Sequence, residues 1–384
     1  MDLLEPTLLD LGVIARTAKE NERRLPIHPR HLDRLSDELR PHVFLEEGYG
    51  ETFGVSDDEL RPHVGGILSR AELIARCDVI LLTKPQASDL LELREGQTLW
   101  GWPHCVQDRA LTQAAIDRKL TLIAWEAMNH WSGDGHFLLH VFHKNNELAG
   151  YGSVLHAMSL SGVTGTYGRP LNAAVIGFGA TARGAVTALT ANGIHSVDIF
   201  TQRGVAAVSA PIHSAHIVHF EPGDSPAESR AHIDEGWVPM PAFLAQHDII
   251  VNCVLQDPNS PMTFLTNDDL PSLAPGTVIV DVSCDEGMGF EWATPTTFEE
   301  PIFTVGDGVT YYAVDHSPSY LWNSATWEIS QALLPFVRTV LSGGAAWDAD
   351  ETLRRAIEIR DGVVQNPDIL AFQQRSEEYP HAAL

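Results

Sequence analysis

The sequence predicts an α/β protein with two Rossmann-like, doubly wound domains, a cleft between them and a discontinuous first domain. Apolar segments that end in Gly or Pro alternate with helical segments, which is typical of parallel sheets with both faces covered. With 44% hydrophobic residues, a chain of 384 residues is long enough for two separate cores. A glycine-rich turn opens the second α/β series, directly after an apolar strand.

The predicted domain boundaries follow from a long helical segment that starts near Asn145, a residue suited to helix capping. Residues 145–311 form the predicted nucleotide-binding domain. Residues 1–144 and 312–384 form the predicted substrate and catalytic domain, to which the chain returns after its second α/β series.

Composition excludes several classes of function. The formal net charge of -26 would repel phosphate backbones and anionic lipids, so neither nucleic acid nor membrane is an expected partner. No apolar run approaches the length that spans a bilayer, and the first residues lack the basic region of a signal peptide, which predicts a cytoplasmic protein. The four cysteines form no Cys-x-x-Cys pair, so buried thiols are expected and no metal site is predicted.

The segment AAVIGFGATARG carries the pattern Gly-x-Gly-x-x-Ala at Gly177, Gly179 and Ala182. The first glycine permits a tight turn, the second allows the backbone to approach a pyrophosphate, and the small third residue allows close helix packing. The helix that follows would direct its N-terminus at the anion. The pattern therefore predicts a dinucleotide site, and a purely structural turn is the alternative.

The end of the next strand reads Thr201-Gln202-Arg203, without the carboxylate that usually binds the ribose 2′-hydroxyl of NAD. Arg203 could pair with a 2′-phosphate, and Thr201 could donate a hydrogen bond to it. Asp198 comes too early in the strand for the acidic role. The predicted cofactor is therefore NADP(H), unless Arg203 is only a solvated surface residue.

Two residues with acid/base chemistry follow predicted strands of the first domain. Lys84 closes DVILLTKP and His104 follows TLWGWP, both at carboxyl ends where ligands of open α/β sheets bind. Lys84 could hold a carboxylate or act as a base, and His104 could exchange a proton near neutral pH. Arg23 and Arg24, in an early loop, could clamp a substrate carboxylate. The alternatives are a lysine extending to solvent, a histidine without chemistry and a solvated basic patch.

The second domain offers three more candidates. Asp281 and Asp285 flank VSC at the end of a strand, where a carboxylate would lie near the nicotinamide end of a cofactor, although aspartates here also serve turns and caps. The sequence leaves open which of the two has that role. His316, in VDHSPS, lies where the chain is expected to return, so it could contact substrate or cap the next segment.

Taken in order, these segments resemble the alanine dehydrogenase and saccharopine dehydrogenase superfamily over nearly the whole chain. ENERRLPIHP is similar to the family's opening segment, DVILLTKP to its lysine strand and WGWPHCVQD to its histidine segment. The resemblance implies that Arg24 binds substrate and that Lys84 and His104 form the acid/base pair. VDVSCDEGMGFEW resembles the family's aspartate strand, with Asp281 or Asp285 as its aspartate.

FHKNNELAGYGSVLHAM and VDHSPSYLWNSATWEIS look most like the N5-(carboxyethyl)ornithine synthase subgroup. This resemblance implies an NADPH-dependent condensation of a 2-oxo acid, with pyruvate foremost, and the side-chain amine of ornithine or lysine. It also implies a homo-oligomer. The alternatives are an alanine dehydrogenase that uses ammonia and, in another class, a catalytically silent NADP(H)-binding protein.

Overall fold

The computed structural model describes residues 8–202, 215–226, 228–254, 256 and 261–383. The chain divides into two compact units, Met1–His143 with Trp322–Leu384 and Lys144–Leu321. The second unit thus begins one residue before the predicted position and ends ten residues after it.

The strands follow one another in chain order as β1 (Leu11–Val13), β2 (Val43–Glu46), β3 (Gly66–Leu68), β4 (Val79–Leu82), β5 (Thr98–Gly101), β6 (Thr121–Ala124), β7 (Asn129–Trp131), β8 (Phe137–His140), β9 (Asn172–Ile176), β10 (Ser196–Thr201), β11 (His216–Glu221), β12 (Arg230–Ile233), β13 (Gly236–Pro239), β14 (Ile249–Asn252), β15 (Thr263–Leu265), β16 (Val278–Asp281), β17 (Gly289–Phe290), β18 (Ile302–Val305), β19 (Val309–Tyr312), β20 (Ile357–Arg360) and β21 (Val363–Val364).

The α-helices are α1 (Asp57–Leu60), α2 (Arg70–Arg76), α3 (Ala87–Glu92), α4 (Arg109–Asp117), α5 (His143–Leu160), α6 (Ala180–Ala191), α7 (Met240–Leu244), α8 (Trp322–Leu341), α9 (Gly344–Ala349), α10 (Glu351–Ala356) and α11 (Pro367–Gln373). Within the described residues, no helix is both long enough and apolar enough to cross a bilayer.

The first unit is built on an eight-stranded sheet of order β21-β20-β6-β5-β4-β1-β2-β3. The strands β1 to β6 are mutually parallel, and β1 lies between β2 and β4. Every residue of β4 is buried, as expected for a central strand that is covered on both faces. The strand order therefore reverses between β1 and β4, and ligands of such sheets bind beyond the carboxyl ends near this point.

The second unit has a nine-stranded sheet of order β13-β12-β11-β10-β9-β14-β16-β19-β18. The six strands from β11 to β19 in this order run parallel, while β12, β13 and β18 pair antiparallel at the edges. Both sheets thus wind outward in two directions from a central first strand. The prediction of a doubly wound α/β fold in two domains is confirmed.

The long helix α5 begins at His143, two residues before the predicted start, so Asn145 is a buried residue within the helix and not its cap. The chain leaves the second unit later than predicted because the segment after β19 still packs on α5. Ser317 Oγ donates to the carbonyl oxygen of Ala149 at 3.2 Å. The new helix α8 begins only at Trp322.

Two glycines allow α5 and α6 to cross at backbone contact. A Cβ at Gly150 would lie 1.9 Å from the carbonyl oxygen of Thr181, and one at Gly184 would lie 1.7 Å from that of Glu147. Real atoms cannot approach so closely, so any side chain at either position must push the helices apart.

We expect Gly184→Ala to destabilise the protein by about 2–3 kcal/mol, because the helices must separate and lose contacts in the second core. Denaturant unfolding would show this loss as a lower midpoint concentration of denaturant, with little change in the m value. Gly344→Ala is the matched control, since a Cβ there meets nothing within 4 Å. A Gly184→Ala midpoint equal to that of the wild type would contradict the close crossing.

Candidate active site

The glycine turn of the second unit lies where its strand order reverses. β9 ends at Ile176, and Gly177 follows with a φ of 113°, a conformation that favours glycine. The Gly177 N–H donates to Phe200 O at 2.8 Å, and the Cys253 N–H donates to Ile176 O at 2.9 Å. The turn is therefore held between the ends of β10 and β14, and Gly179 is the N-cap residue of α6.

This turn fits the pyrophosphate of a dinucleotide. A Cβ at Gly177 would lie 3.2 Å from Cys253 O, whereas one at Gly179 would meet nothing within 4 Å, so the space above Gly179 is open. Among the described residues, no side chain caps the 12-residue helix α6. Its first N–H groups can therefore bind an anion. Ala182 is fully buried, as expected for the small third position of the pattern.

The end of β10 carries the residues predicted to select the cofactor. Thr201 is its last residue and is buried. Arg203 lies outside the described residues. Asp198 lies in the first half of the strand, where its carboxylate contacts His247 Nε2 at 2.9 Å and His216 Nδ1 at 3.2 Å. Asp198 is thus engaged away from the strand end where a ribose would be bound.

The two aspartates after β16 differ in their surroundings. Asp281 Oδ1 accepts from Asn252 Nδ2 at 3.0 Å and the Cys284 N–H at 3.1 Å, and Oδ2 accepts from the Tyr311 hydroxyl at 2.7 Å. Burial raises the pKa of Asp281 to about 6, although these three hydrogen bonds favour the ionised form and lower the pKa. Asp285 is half-buried, and burial raises its pKa as well. Asp281 therefore ties β14, β16 and β19 together, and Asp285 is the more accessible carboxylate.

His316 follows β19 and is buried. Its Nδ1 bonds to the carboxylate of the preceding residue, Asp315. The ring of Phe298 contacts the imidazole edge-on, with 4.9 Å between the ring centroids. The imidazole is thus oriented by a carboxylate on one nitrogen, which is an arrangement suited to accepting or donating a proton at the other.

In the first unit, three neighbouring strands each deliver a polar residue to the same edge of the sheet. Lys84 follows β4 and His104 follows β5. Glu126 follows β6, and its Oε1 accepts the backbone N–H of His104 at 2.6 Å. His104 is exposed and has a φ of 49°, so this hydrogen bond stabilises a left-handed conformation that is unusual outside glycine.

Arg24 is held at the same edge. Its carbonyl oxygen accepts from Thr83 Oγ1 at 3.1 Å, next to Lys84. Its guanidinium bonds to Glu22, with Nε 2.8 Å from Oε1, and lies 5.2 Å from the centre of the Trp102 ring. The predicted substrate residues of the first unit are thus brought together.

Sequence reasoning missed Glu22, Glu126 and Glu358, a buried residue of β20. Glu126 had a signal, since it ends the predicted strand LTLIAWE beside the lysine and histidine strands. Burial and the charge of Glu358 raise the pKa of Glu126 well above its usual range, and Lys84 opposes this effect. These electrostatic contacts connect Glu126 with both Lys84 and the far end of the chain.

A glycine-rich turn typical of dinucleotide sites lies in one α/β unit, and a lysine, a histidine and a carboxyl group lie at one sheet edge of the other. This combination is typical of two-domain, nicotinamide-dependent oxidoreductases. The chain belongs to the alanine dehydrogenase/PNT family. Residues 13–143 match the model of its N-terminal domain, and residues 156–367 match that of its C-terminal domain. The predicted family resemblance is confirmed.

Curated relatives carry two different names. An alanine dehydrogenase of Mycobacterium tuberculosis is 26% identical over 374 residues, covering 92% of this chain and 94% of the relative. An N(5)-(carboxyethyl)ornithine synthase of Clostridium botulinum is 26% identical over 324 residues, covering 81% and 89%. The solved structure of an L-alanine dehydrogenase covers 95% of this chain and 99% of its own, with a TM-score of 0.75 and 20% identity, and supports the fold.

Proposed function

We propose that the chain catalyses the NADPH-dependent reductive condensation of a 2-oxo acid with the side-chain amine of an amino acid. Pyruvate is the leading 2-oxo acid, and ornithine or lysine the leading amine. One 2-oxo acid, one amine, one NADPH and one proton give one secondary amine, one NADP⁺ and one water. The observation that carries the proposal is the grouping of Arg24, Lys84, His104 and Glu126 at one sheet edge.

Arg24 binds the carboxylate of the 2-oxo acid in this proposal. A guanidinium presents a planar fork of donors that matches a carboxylate, and the contacts with Glu22 and Trp102 orient that plane. The carbonyl of the bound acid then lies toward Lys84 and His104, whose strands end beside the Arg24 loop.

Lys84 and His104 move the protons. The amine must lose a proton to attack the carbonyl, and the resulting carbinolamine must gain one to release water and form an imine. A lysine and a histidine at adjacent strand ends can act as this base and acid in turn. When bound, NADPH supplies the hydride that reduces the imine.

The second unit holds the cofactor. Gly177, Gly179 and the N-terminus of α6 would bind the pyrophosphate, and Ala182 allows the helix to pack closely. Thr201 and Arg203 would bind the 2′-phosphate. Asp285 would lie near the nicotinamide, while Asp281 supports it through the Tyr311 and Asn252 contacts. His316, oriented by Asp315, would contact the amino acid substrate.

The test is NADPH oxidation with pyruvate held constant and ornithine, lysine, other amino acids or ammonia supplied in turn, with NADH in parallel. Turnover that requires an amino acid and prefers NADPH supports the proposal. Turnover with ammonia alone would instead indicate alanine dehydrogenase activity. This alternative is supported by coverage, since the alanine dehydrogenase of Mycobacterium tuberculosis matches 92% of this chain and the N(5)-(carboxyethyl)ornithine synthase of Clostridium botulinum matches 81%. No turnover with any pair would point to another 2-oxo acid or to a protein that binds NADP(H) without catalysing a reaction.

A further inference from the structure

Glu358 occupies a β-bulge beside the candidate active site. In the antiparallel pair of β20 and β6, Ile357 lies opposite Ile123 and Ile359 lies opposite Leu122, so Glu358 is the extra residue between them. A bulge redirects the side chain of its extra residue, and bulges are common next to active sites. Glu358 is only 5% exposed, so the bulge places a carboxyl group inside the protein.

In the part of the chain that the structure describes, Glu358 and Glu126 each have one buried carboxyl oxygen without a hydrogen-bond partner. Glu358 accepts from Asn366 Nδ2 at 3.2 Å through Oε1 and receives a hydrogen bond from the Cys105 thiol. Glu126 accepts the His104 N–H through Oε1. Within the described residues, neither Glu126 Oε2 nor Glu358 Oε2 has a hydrogen-bond partner, although both atoms are buried. A buried carboxylate oxygen without a hydrogen bond carries a large free-energy cost, which is smaller when the carboxyl group is protonated.

Burial and the surrounding charges act on the pKa of both carboxyl groups. Burial raises the pKa of both groups, and the charge of Glu358 raises that of Glu126 further. Lys84 is the cation that opposes this effect at Glu126. The Cys105 thiol, the His140 ring, whose Nε2 lies 3.2 Å from the Glu126 carbonyl oxygen, and the carboxylates of Asp108 and Asp368 also lie around the pair. Helix α10 packs against the Glu126 segment and β20, and its charged residues Glu351, Arg354 and Arg355 form ion pairs with each other.

We propose that Glu358 and Glu126 form a buried acid pair that shares one proton, and that Glu358 is a positioning residue for His104 and Lys84. Glu126 binds the His104 backbone, and Glu358 lies in the bulge of β20 against β6. Two buried carboxylates that repel each other are costly to ionise together, so one proton stays on the pair. Glu126 then keeps Oε1 for the His104 backbone, and the two buried Oε2 atoms are the oxygens available to the retained proton. The role in catalysis rests on the proposed function, whereas the acid pair itself does not.

The acid pair is tested without substrate, by following the infrared band of protonated carboxyl groups as the pH is raised. Either substitution removes the charge that raises the pKa of the remaining carboxyl group. Both Glu358→Gln and Glu126→Gln should therefore lower the pH at which this band disappears, by about one unit or more. Glu377→Gln, an exposed glutamate of the same C-terminal segment, is the control and should leave the band unchanged. The Asp281 carboxyl, with a pKa of about 6, contributes equally in every variant.

The catalytic role is tested by the pH profile of kcat/KM. In Glu358→Gln, Glu126 ionises more readily and stabilises the charged form of Lys84, so the limb that reports proton loss from Lys84 should move to higher pH by about one unit. Glu358→Asp, which keeps a carboxyl, should return the limb toward its wild-type position.

Two results would overturn the proposal. One is a carboxyl band that titrates identically in the wild type, Glu358→Gln and Glu126→Gln. The other is an unchanged pH profile in Glu358→Gln, which would remove the positioning role. An absence of turnover would contradict the proposed function. The infrared titration would still show whether the two carboxyl groups form an acid pair. If Glu358→Gln does not fold, Glu126→Gln provides the same titration.

Discussion

Replacement of Lys84 by methionine is expected to lower kcat by about 10²- to 10⁴-fold, the usual contribution of a positioned acid or base. Methionine has a similar length and apolar stem but no exchangeable proton, so proton transfer to and from the amine is lost. Lys84 follows a fully buried strand of the first unit, whereas the glycine turn belongs to the second unit. The Kd for NADPH should therefore stay near its wild-type value, as measured by fluorescence titration.

Lys144→Met is the matched control, because Lys144 is an exposed helix residue whose Nζ lies 2.8 Å from Glu147 Oε2. Its kcat should be close to that of the wild type, since exposed ion pairs contribute little. Near-wild-type turnover in Lys84→Met would rule out the acid/base role. A large rise in the Kd for NADPH would instead indicate that the substitution disturbs the fold.

Gly179→Asp is expected to weaken NADPH binding by about 100-fold or more while leaving the fold intact, because its carboxylate would occupy the anion position at the N-terminus of α6. Gly179 has an extended backbone, and a Cβ there meets nothing within 4 Å, so the side chain fits. Aspartate is also a favoured N-cap residue. The unfolding midpoint of the protein without cofactor should therefore stay constant or rise.

Gly179→Asn separates charge from size, since the two side chains have nearly the same shape. We expect the asparagine variant to bind NADPH more tightly than the aspartate variant, with the difference shrinking at high salt. Equal binding by both variants and the wild type would exclude this turn as the pyrophosphate site. A lower unfolding midpoint in both would show that Gly179 is needed for folding instead.

Much of the fold could be predicted because its signals are local. Buried strands such as β4 appear as short apolar runs, and the left-handed turn at Gly177 requires a residue without Cβ. The positions of Lys84 and His104 at one edge followed from the same logic, since the carboxyl ends of parallel strands share an edge. The predicted start of α5 was wrong by two residues, because asparagine is a favoured N-cap residue but Asn145 lies within the helix.

The sequence by itself determined the two doubly wound domains, the dinucleotide turn and the strand ends that carry Lys84 and His104. These features depend on the spacing of apolar residues along the chain and on backbone conformations that few residue types can adopt.

Only the tertiary structure decided which polar groups meet. It directs Asp281 toward Asn252 and Tyr311, and it brings Glu358 of β20 to β6 and the Cys105 thiol. Such contacts depend on strand order and register between segments far apart in the chain, and on a bulge that turns one side chain inward. A local pattern of residues contains none of this information, because the pairing energy is shared among many distant contacts.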